Sequence, residues 1–168
     1  MKLVPASHEW KDPFLEMAQE WTSIEPERYA LALSDFAAYP HRIESEAPGK
    51  TLPEGRVHGA QYWLEDAGRI VACGRLRFWL NAELSEEGGH IGYDVRPSLR
   101  RRGYGRAVLR HTLIEARRRG LSRVLLTTDA DNVSSQRIIE AAGGKLAATA
   151  VSKRSGRPIL QYWIEEST

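Results

Sequence analysis

The amino-terminal part of the chain has apolar residues spaced three and four apart, which is the period of an amphipathic helix. Two helices are predicted there, over residues 13–21 and 26–38. In the first of them, Phe14, Met17 and Trp21 lie on one face. Residues 47–55, with two prolines and two glycines, predict a loop.

From residue 59 to residue 95 the pattern changes to short apolar runs separated by turn residues, which predicts strands. The predicted strands cover 60–64, 69–80 and 90–95. Their connections, at 66–68 and 81–89, are short, and short connections favour antiparallel pairing of neighbouring strands. An antiparallel meander is therefore expected in this part of the chain.

After residue 95, helical and strand patterns alternate. The three consecutive apolar residues Val124, Leu125 and Leu126 suit a strand that is covered on both faces. The predicted elements are helices at 105–119 and 133–142, a strand at 124–128, and a closing hairpin of strands at 145–152 and 159–165. The predicted fold class is α/β, with a mixed sheet flanked by helices.

Composition supports a globular protein, with 42% hydrophobic and 27% charged residues among 168. This length fits one domain, so residues 1–168 are predicted to form a single domain. No run approaches the roughly 18 apolar residues that span a bilayer, and the first ten residues lack a signal-peptide core. A cytoplasmic protein without a membrane partner is expected. The single cysteine, Cys73, excludes an internal disulfide.

Positive charge is concentrated in one segment. The net charge is only +2, yet residues 96–123 contain ten arginines and a single acidic residue, Glu115. The rest of the chain is therefore net negative. A local basic segment in an acidic chain favours a discrete anionic ligand, and it disfavours a nucleic acid as partner.

The sharpest motif is VRPSLRRRGYGR at residues 95–106, a strand end that passes through a glycine-containing turn into a helix. The start of a helix leaves N–H groups without intrahelical acceptors and attracts anions. Gly103 and Gly105 lack a Cβ atom and let the backbone approach phosphate oxygens, and arginines add bidentate charge. The lysine of a Walker loop and the third glycine of a dinucleotide fingerprint are both absent. Pyrophosphate is the predicted ligand.

Residues 100–105, RRRGYG, resemble the phosphate loop [RQ]-x-x-G-x-[GA] of the GNAT superfamily of N-acetyltransferases. Asn132-x-x-Ser135, with Ile138 and Gly143 after it, resembles the superfamily helix beside the pantetheine arm. The runs at 88–93 and 162–164 are similar to those of a bacterial branch of acetyltransferases. This resemblance implies amino-terminal helices, an antiparallel meander, a splayed pair of parallel strands and a closing hairpin.

The resemblance also implies acetyl-CoA as the donor and a set of residues that bind it. Backbone groups of Tyr93 and Val95 would contact the acyl carbonyl and pantetheine, and amides from Arg101 to Arg106 would hold pyrophosphate. Asn132 would bond pantetheine, cap its helix, or do both. The implied cofactor-binding residues are Tyr93, Val95, Arg100, Arg101, Arg102, Gly103, Tyr104, Gly105, Arg106, Asn132 and Ser135. Histidines and carboxylates lack metal-ligand spacing, so no metal is expected.

The sequence departs from the superfamily pattern at the usual proton donor. Many members have a tyrosine after the position of Ile138, where this chain has Ile139. The remaining donors are Ser135, Tyr93, Tyr104, a water, or no residue, since a thiol of pKa about 8.5 leaves readily.

An amine acceptor also has to lose a proton before it attacks. His90 is a candidate base because its usual pKa lies near neutrality, and Glu86 or Glu87 are candidates that act through water. The predicted catalytic residues are His90, Tyr93 and Ser135.

Together these features predict an acyl-CoA dependent N-acetyltransferase that moves an acetyl group from acetyl-CoA to a primary amine by direct attack. The acceptor is expected to be a small-molecule or peptide amine, and a homodimer is left open. Because Ile139 replaces the usual acid, an inactive acyl-CoA-binding sensor is the alternative. A nucleic-acid binder that uses the arginine-rich helix ranks third.

Overall fold

A computed structural model describes residues 1–39, 51–52 and 54–166 of the chain. In chain order its elements are β1 (Lys2–Pro5), a 3-10 turn (His8–Trp10), α1 (Lys11–Trp21), α2 (Ala30–Ser34), β2 (Gly59–Asp66), β3 (Arg69–Arg77), α3 (Ala82–Glu86), β4 (Ile91–Val95), a 3-10 turn (Pro97–Leu99), α4 (Tyr104–Arg118), β5 (Arg123–Asp129), α5 (Val133–Ala141), β6 (Lys145–Val151) and β7 (Pro158–Glu165).

The strands form two hydrogen-bonded sheets. The first has the order β1-β2-β3-β4 and the second β5-β7-β6, and every pair is antiparallel. The predicted meander and closing hairpin are confirmed. Strand β1 was not predicted, because its four residues are too few to show a pattern and only Val4 is buried.

Two predicted elements differ in the structure. The helix predicted over 26–38 is interrupted after α2, because Asp35 has non-helical torsions and its side chain accepts a hydrogen bond from the Ala38 N–H at 3.1 Å, and residues 38 and 39 are again helical. The connection at 81–89 contains α3, which begins at Asn81, whose side chain accepts from the Leu84 N–H at 2.9 Å. The loop predicted over 47–55 lies largely outside the described residues.

Helices pack on opposite faces of the first sheet. On one face, Phe14 of α1 stacks on Trp63 of β2 with ring centroids 4.2 Å apart, and both are fully buried. On the other face, α4 lies so close to β3 that a Cβ atom at Gly74 would be 2.4 Å from the Thr112 hydroxyl oxygen. Because side chains alternate along a strand, Arg75, next to Gly74, faces the α1 side.

Strands β4 and β5 are neighbours that separate along their length. Just before β4 begins, the His90 N–H donates to the Leu125 carbonyl at 2.8 Å. Gly89 permits this approach, since a Cβ atom there would lie 2.4 Å from the same carbonyl oxygen. Within the described ranges no backbone hydrogen bond joins β4 itself to β5. The predicted splayed pair is thus present, and it leaves a gap between the two sheets.

None of the helices in the described ranges combines the length and the apolar character that crossing a bilayer requires.

Candidate active site

A groove of about 1030 Å³ occupies the gap between β4 and β5. It is lined by the whole of β4, the carboxyl-terminal half of β5, the turn before α4, residues of α5 and the end of α1. Side chains alternate along β4, so Tyr93 and Val95 point towards α4 and α5, whereas Asp94 points towards α1 and α2. The groove therefore has one end on each face of the first sheet.

The turn before α4 presents free backbone donors at one end of this groove. Gly103 has left-handed torsions (φ 85°, ψ −6°), and Arg101 is also left-handed (φ 64°). The first intrahelical bond runs from the Ala107 N–H to the Gly103 carbonyl at 3.1 Å, so the preceding amides up to Arg106 have no intrahelical acceptor. No side chain in the described ranges caps this helix. Such a concave turn with the positive end of a helix dipole is suited to an anion.

The two glycines of the turn have different roles. Gly103 is required for its left-handed torsion, and a Cβ atom there would meet nothing within 4 Å. Gly105 is buried, and a Cβ atom there would lie 2.7 Å from Ile138 Cδ1 of α5. Gly105 lines the groove as well, so in addition to the phosphate approach predicted for both glycines it lets α4 and α5 pack closely.

The side chains of the turn are also divided between roles. Arg101 and Arg106 line the groove, and Arg100 lies over the Trp21 ring at 5.0 Å from its centroid. The Tyr104 hydroxyl donates to Asp66 at 2.8 Å, which holds that ring against the β2–β3 turn and away from the groove. Tyr104 and Arg102, which do not line the groove, are left with backbone roles only.

The backbone of β4 supplies further donors inside the groove. The Arg77 N–H donates to the His90 carbonyl, and the Arg96 N–H donates to the Val71 carbonyl. Alternation along an antiparallel pair then turns the N–H groups of Tyr93 and Val95 away from β3, towards the gap. Sequence reasoning implied backbone contacts for these same two residues.

Two predicted catalytic residues meet across the groove. The Tyr93 hydroxyl on β4 and the Ser135 hydroxyl on α5 are 2.8 Å apart. Burial raises the pKa of Tyr93, so its hydroxyl keeps its proton at neutral pH. Asn132 lines the groove and caps α5, since its side-chain oxygen accepts from the Ser135 N–H at 3.1 Å. Its amide nitrogen is left as a donor.

His90, the third predicted catalytic residue, lies outside the groove lining. Its Nδ1 accepts a hydrogen bond from the Leu125 N–H at 2.9 Å. Burial and the nearby charge of Arg77 lower the pKa of His90 to about 4. The imidazole is thus neutral at pH 7 and joins β4 to β5, and it is too weak a base to deprotonate an amine.

Of the two candidate glutamates, Glu87 is the one that lines the groove. Its two carboxylate oxygens accept from the Ser152 hydroxyl at 2.9 and 3.0 Å. Glu86 instead forms an ion pair with Lys153 at the surface.

A charged cluster at the α1 end of the groove was missed by sequence reasoning. Asp94, with 6% exposure, accepts from Arg28 at 2.7 Å, Arg75 at 2.6 Å and the Tyr29 hydroxyl at 2.9 Å. Burial alone would raise the pKa of Asp94, but the two guanidinium groups more than offset this and lower it. Arg28 and Arg75 are 66 and 19 residues away from Asp94 along the chain, so no local spacing signals the cluster.

In the described ranges, no group of three or more histidine, cysteine or carboxylate side chains is placed to hold a metal ion.

Comparison with solved structures shows what this fold is similar to. Mycobacterium smegmatis RimJ, solved with a CoA disulfide, matches with TM-score 0.73 at 16% identity, over 97% of this chain and 80% of that one. The ribosomal-protein-alanine N-acetyltransferase of Brucella melitensis matches with TM-score 0.71 at 17% identity, over 99% of this chain and 100% of that one. Salmonella typhimurium yncA, solved with its cofactor acetyl-CoA, matches with TM-score 0.66 at 13% identity, over 98% of this chain and 92% of that one.

No curated protein sequence matches the chain. The model of the acetyltransferase (GNAT) family matches residues 6–143, which include the groove from α1 to α5. The chain belongs to the GNAT acetyltransferase family, and it is an acyltransferase that uses acetyl-CoA as its donor.

Proposed function

We propose that the chain, as a single domain over residues 1–168, transfers the acetyl group of acetyl-CoA to a primary amine by direct attack. The observation that carries this proposal is the groove between β4 and β5. The unpaired amides of α4 lie at one end of it, and the N–H groups of Tyr93 and Val95 lie in its wall.

The residues present fit the donor along its length. The amides from Arg101 to Arg106 would hold the pyrophosphate, and the guanidinium groups of Arg101 and Arg106 would add charge. The Asn132 amide and the free backbone groups of β4 would bind pantetheine. A splayed strand pair provides both the room and the unpaired hydrogen-bonding groups.

Acetyl-CoA, when bound, supplies a thioester carbonyl for the amine to attack. The N–H groups of Tyr93 and Val95 point into the gap about 7 Å apart, so one of them would bind the carbonyl oxygen and stabilise the negative charge that grows on it, and the other would be left for pantetheine. These donors are fixed by the β3–β4 pairing, so they need no reorganisation during the reaction.

Tyr93 is the proposed proton donor to the departing sulfur. Its hydroxyl is protonated at neutral pH because burial raises its pKa, and Ser135 at 2.8 Å holds the hydroxyl in place. A tyrosine on β4 thus takes the role that many family members give to a tyrosine on the helix after Asn132.

Glu87 is the proposed acceptor of the amine proton, through water. It is the carboxylate of the α3–β4 connection that lines the groove, and the Ser152 hydroxyl orients it.

A thiol-release assay with acetyl-CoA and a panel of amines tests the proposal. The wild-type chain is expected to release thiol with at least one amine. Tyr93→Phe should lower kcat by about 100-fold with little change in the affinity for acetyl-CoA, and Ser135→Ala should lower it less. Coenzyme A binding without thiol release from any amine would favour the sensor alternative, and an unchanged kcat in Tyr93→Phe would remove Tyr93 from the mechanism.

Salt-dependent binding of DNA or RNA that survives excess coenzyme A would contradict the assignment of the turn to pyrophosphate. The cytoplasmic location and the homodimer stay predictions.

A further inference from the structure

The α1 end of the groove carries the charged cluster around Asp94, and Arg100 of the phosphate turn reaches this end over the Trp21 ring. We infer that Arg28 and Arg75 bind a carboxylate of the acceptor, so that the substrate is a small amine that also carries a carboxylate, as an amino acid does. This inference rests on the proposed function, because it assigns the acceptor of the same groove.

Positive charge exceeds negative charge at this end. Three guanidinium groups, those of Arg28, Arg75 and Arg100, line it. Two carboxylates contact them, namely the buried Asp94 and Glu25, which pairs with Arg28 at the surface. Among the described residues, the guanidinium group at this end without a carboxylate partner is that of Arg100, which belongs to the phosphate turn and adds its positive charge beside Arg28 and Arg75.

The two arginines keep hydrogen-bond donors that Asp94 does not use. Arg75 makes one ion pair in the described ranges, through Nη1, and its side chain is 31% exposed. Its Nε and Nη2 lie over Gly92, where a Cβ atom would be 3.6 and 3.4 Å from them. An arginine has five N–H donors in a planar fork, and this fork matches the two oxygens of a carboxylate. Asp94 thus fixes both guanidinium groups and leaves donors on each for a second carboxylate.

The position of the cluster suits an acceptor that is bound close to the thioester. Arg75 is paired across the ladder with Gly92, which directly precedes Tyr93 on β4. Asp94 lies between Tyr93 and Val95, and the N–H group of one of these two residues is proposed to hold the thioester carbonyl. An amine at that carbonyl and a carboxylate on the arginines would therefore be separated by only a few bonds, as they are in an amino acid.

The Trp21 ring forms an apolar wall beside the arginines. Arg28 and Arg100 lie over it, at 4.8 and 5.0 Å from its centroid. These cation–π contacts hold the two guanidinium groups at the rim of the groove. A polycationic acceptor, such as a polyamine, would bring positive charge against this rim and is expected to be a poor substrate.

The test compares acceptors that differ only in the carboxylate. Thiol release is measured with free amino acids, with the same amino acids as carboxyl amides, and with a peptide amide whose only carboxylate is an aspartate side chain. We expect kcat/KM to be about 10- to 100-fold higher for the acids than for their amides, because two charge-assisted hydrogen bonds are lost on amidation. A preference for the peptide would also support a carboxylate site and would identify its source.

Arg28→Gln and Arg75→Gln should each reduce the ratio of acid to amide kcat/KM towards one, mainly through KM. Arg28→Lys is the matched control that keeps the charge without the fork. Thermal unfolding and coenzyme A calorimetry check that the variants fold. If a variant does not fold, the comparison of acid and amide acceptors on the wild-type chain still tests the carboxylate site.

Turnover of amides or polyamines equal to that of the acids would overturn the carboxylate site and leave the proposed function intact. Absence of thiol release with every acceptor, or of coenzyme A binding, would instead refute the proposed function.

Discussion

Substitution of Gly103 by aspartate, with asparagine as a matched control, separates two effects of a side chain at this position. Both variants share the cost of the left-handed backbone torsion, and only aspartate adds a negative charge. Gly103 has φ 85°, a torsion that asparagine and aspartate tolerate better than most residues. A Cβ atom there meets nothing within 4 Å, so no steric clash adds to the torsional cost. Both substitutions should therefore lower the free energy of unfolding by a similar amount, about 1 kcal/mol, relative to the wild-type chain.

The two variants differ by one negative charge beside the proposed pyrophosphate site. A carboxylate about 6 Å from each of two phosphate charges, at an effective dielectric constant of about 20 to 80, costs about 0.7 to 3 kcal/mol for each pair. The total for both pairs corresponds to a loss of about tenfold or more in coenzyme A affinity for Gly103→Asp relative to Gly103→Asn. The difference should shrink at about 1 M salt, where the screening length falls to about 3 Å.

Calorimetric titration of both variants with coenzyme A at low and high salt measures this difference, and thermal unfolding without ligand verifies the fold. Equal affinities in two folded variants would refute the placement of the phosphates at this turn. A difference that does not respond to salt would refute its electrostatic origin.

Three further predictions concern the framework of the site. The folded chain holds His90 neutral down to a pKa of about 4, whereas the unfolded chain binds a proton near pH 6.5, so stability should fall as pH drops through this window, by about 3 kcal/mol. His90→Gln should flatten the dependence of the free energy of unfolding on pH, measured by urea unfolding between about pH 4 and 6.5. An unchanged pH dependence in this variant would contradict the pKa shift. Asp94→Asn removes the carboxylate shared by two guanidinium groups and should lower the free energy of unfolding by about 3 kcal/mol in the same assay. Unchanged stability would show that the ion pairs of Asp94 do not stabilise the fold. Gly89→Ala would place a Cβ atom 2.4 Å from the Leu125 carbonyl oxygen, in a left-handed conformation, and should lower the melting temperature by more than 10 °C, whereas wild-type stability would contradict the close approach of β5.

The sequence was enough to predict a phosphate site at the turn before α4 because the signal is local: two glycines, a run of arginines and a helix start lie within seven residues. The sequence pointed to Tyr93 and Ser135 as separate candidates but did not predict their contact. The fold brings their two hydroxyl oxygens to 2.8 Å. The packing role of Gly105 was not visible in the sequence, because its neighbour Ile138 lies on another helix.

The charged cluster was beyond reach of sequence patterns for a different reason. Asp94 is in the middle of a predicted strand, where a single acidic residue looks like an outward-facing position. Its partners come from α1–α2 and from β3, and only the layered packing of both on one face of the sheet brings three charges together. The structural role of His90 was hidden in the same way, since the sequence does not show that the Leu125 N–H donates to one ring nitrogen of His90.

A crystal structure of the chain with coenzyme A tests the central claim most directly. The account predicts phosphate oxygens within hydrogen-bond distance of backbone amides between Arg101 and Arg106, pantetheine between β4 and β5, and the sulfur beside the Tyr93 hydroxyl. Phosphates bound away from the start of α4, or pantetheine outside the gap between the strands, would contradict it.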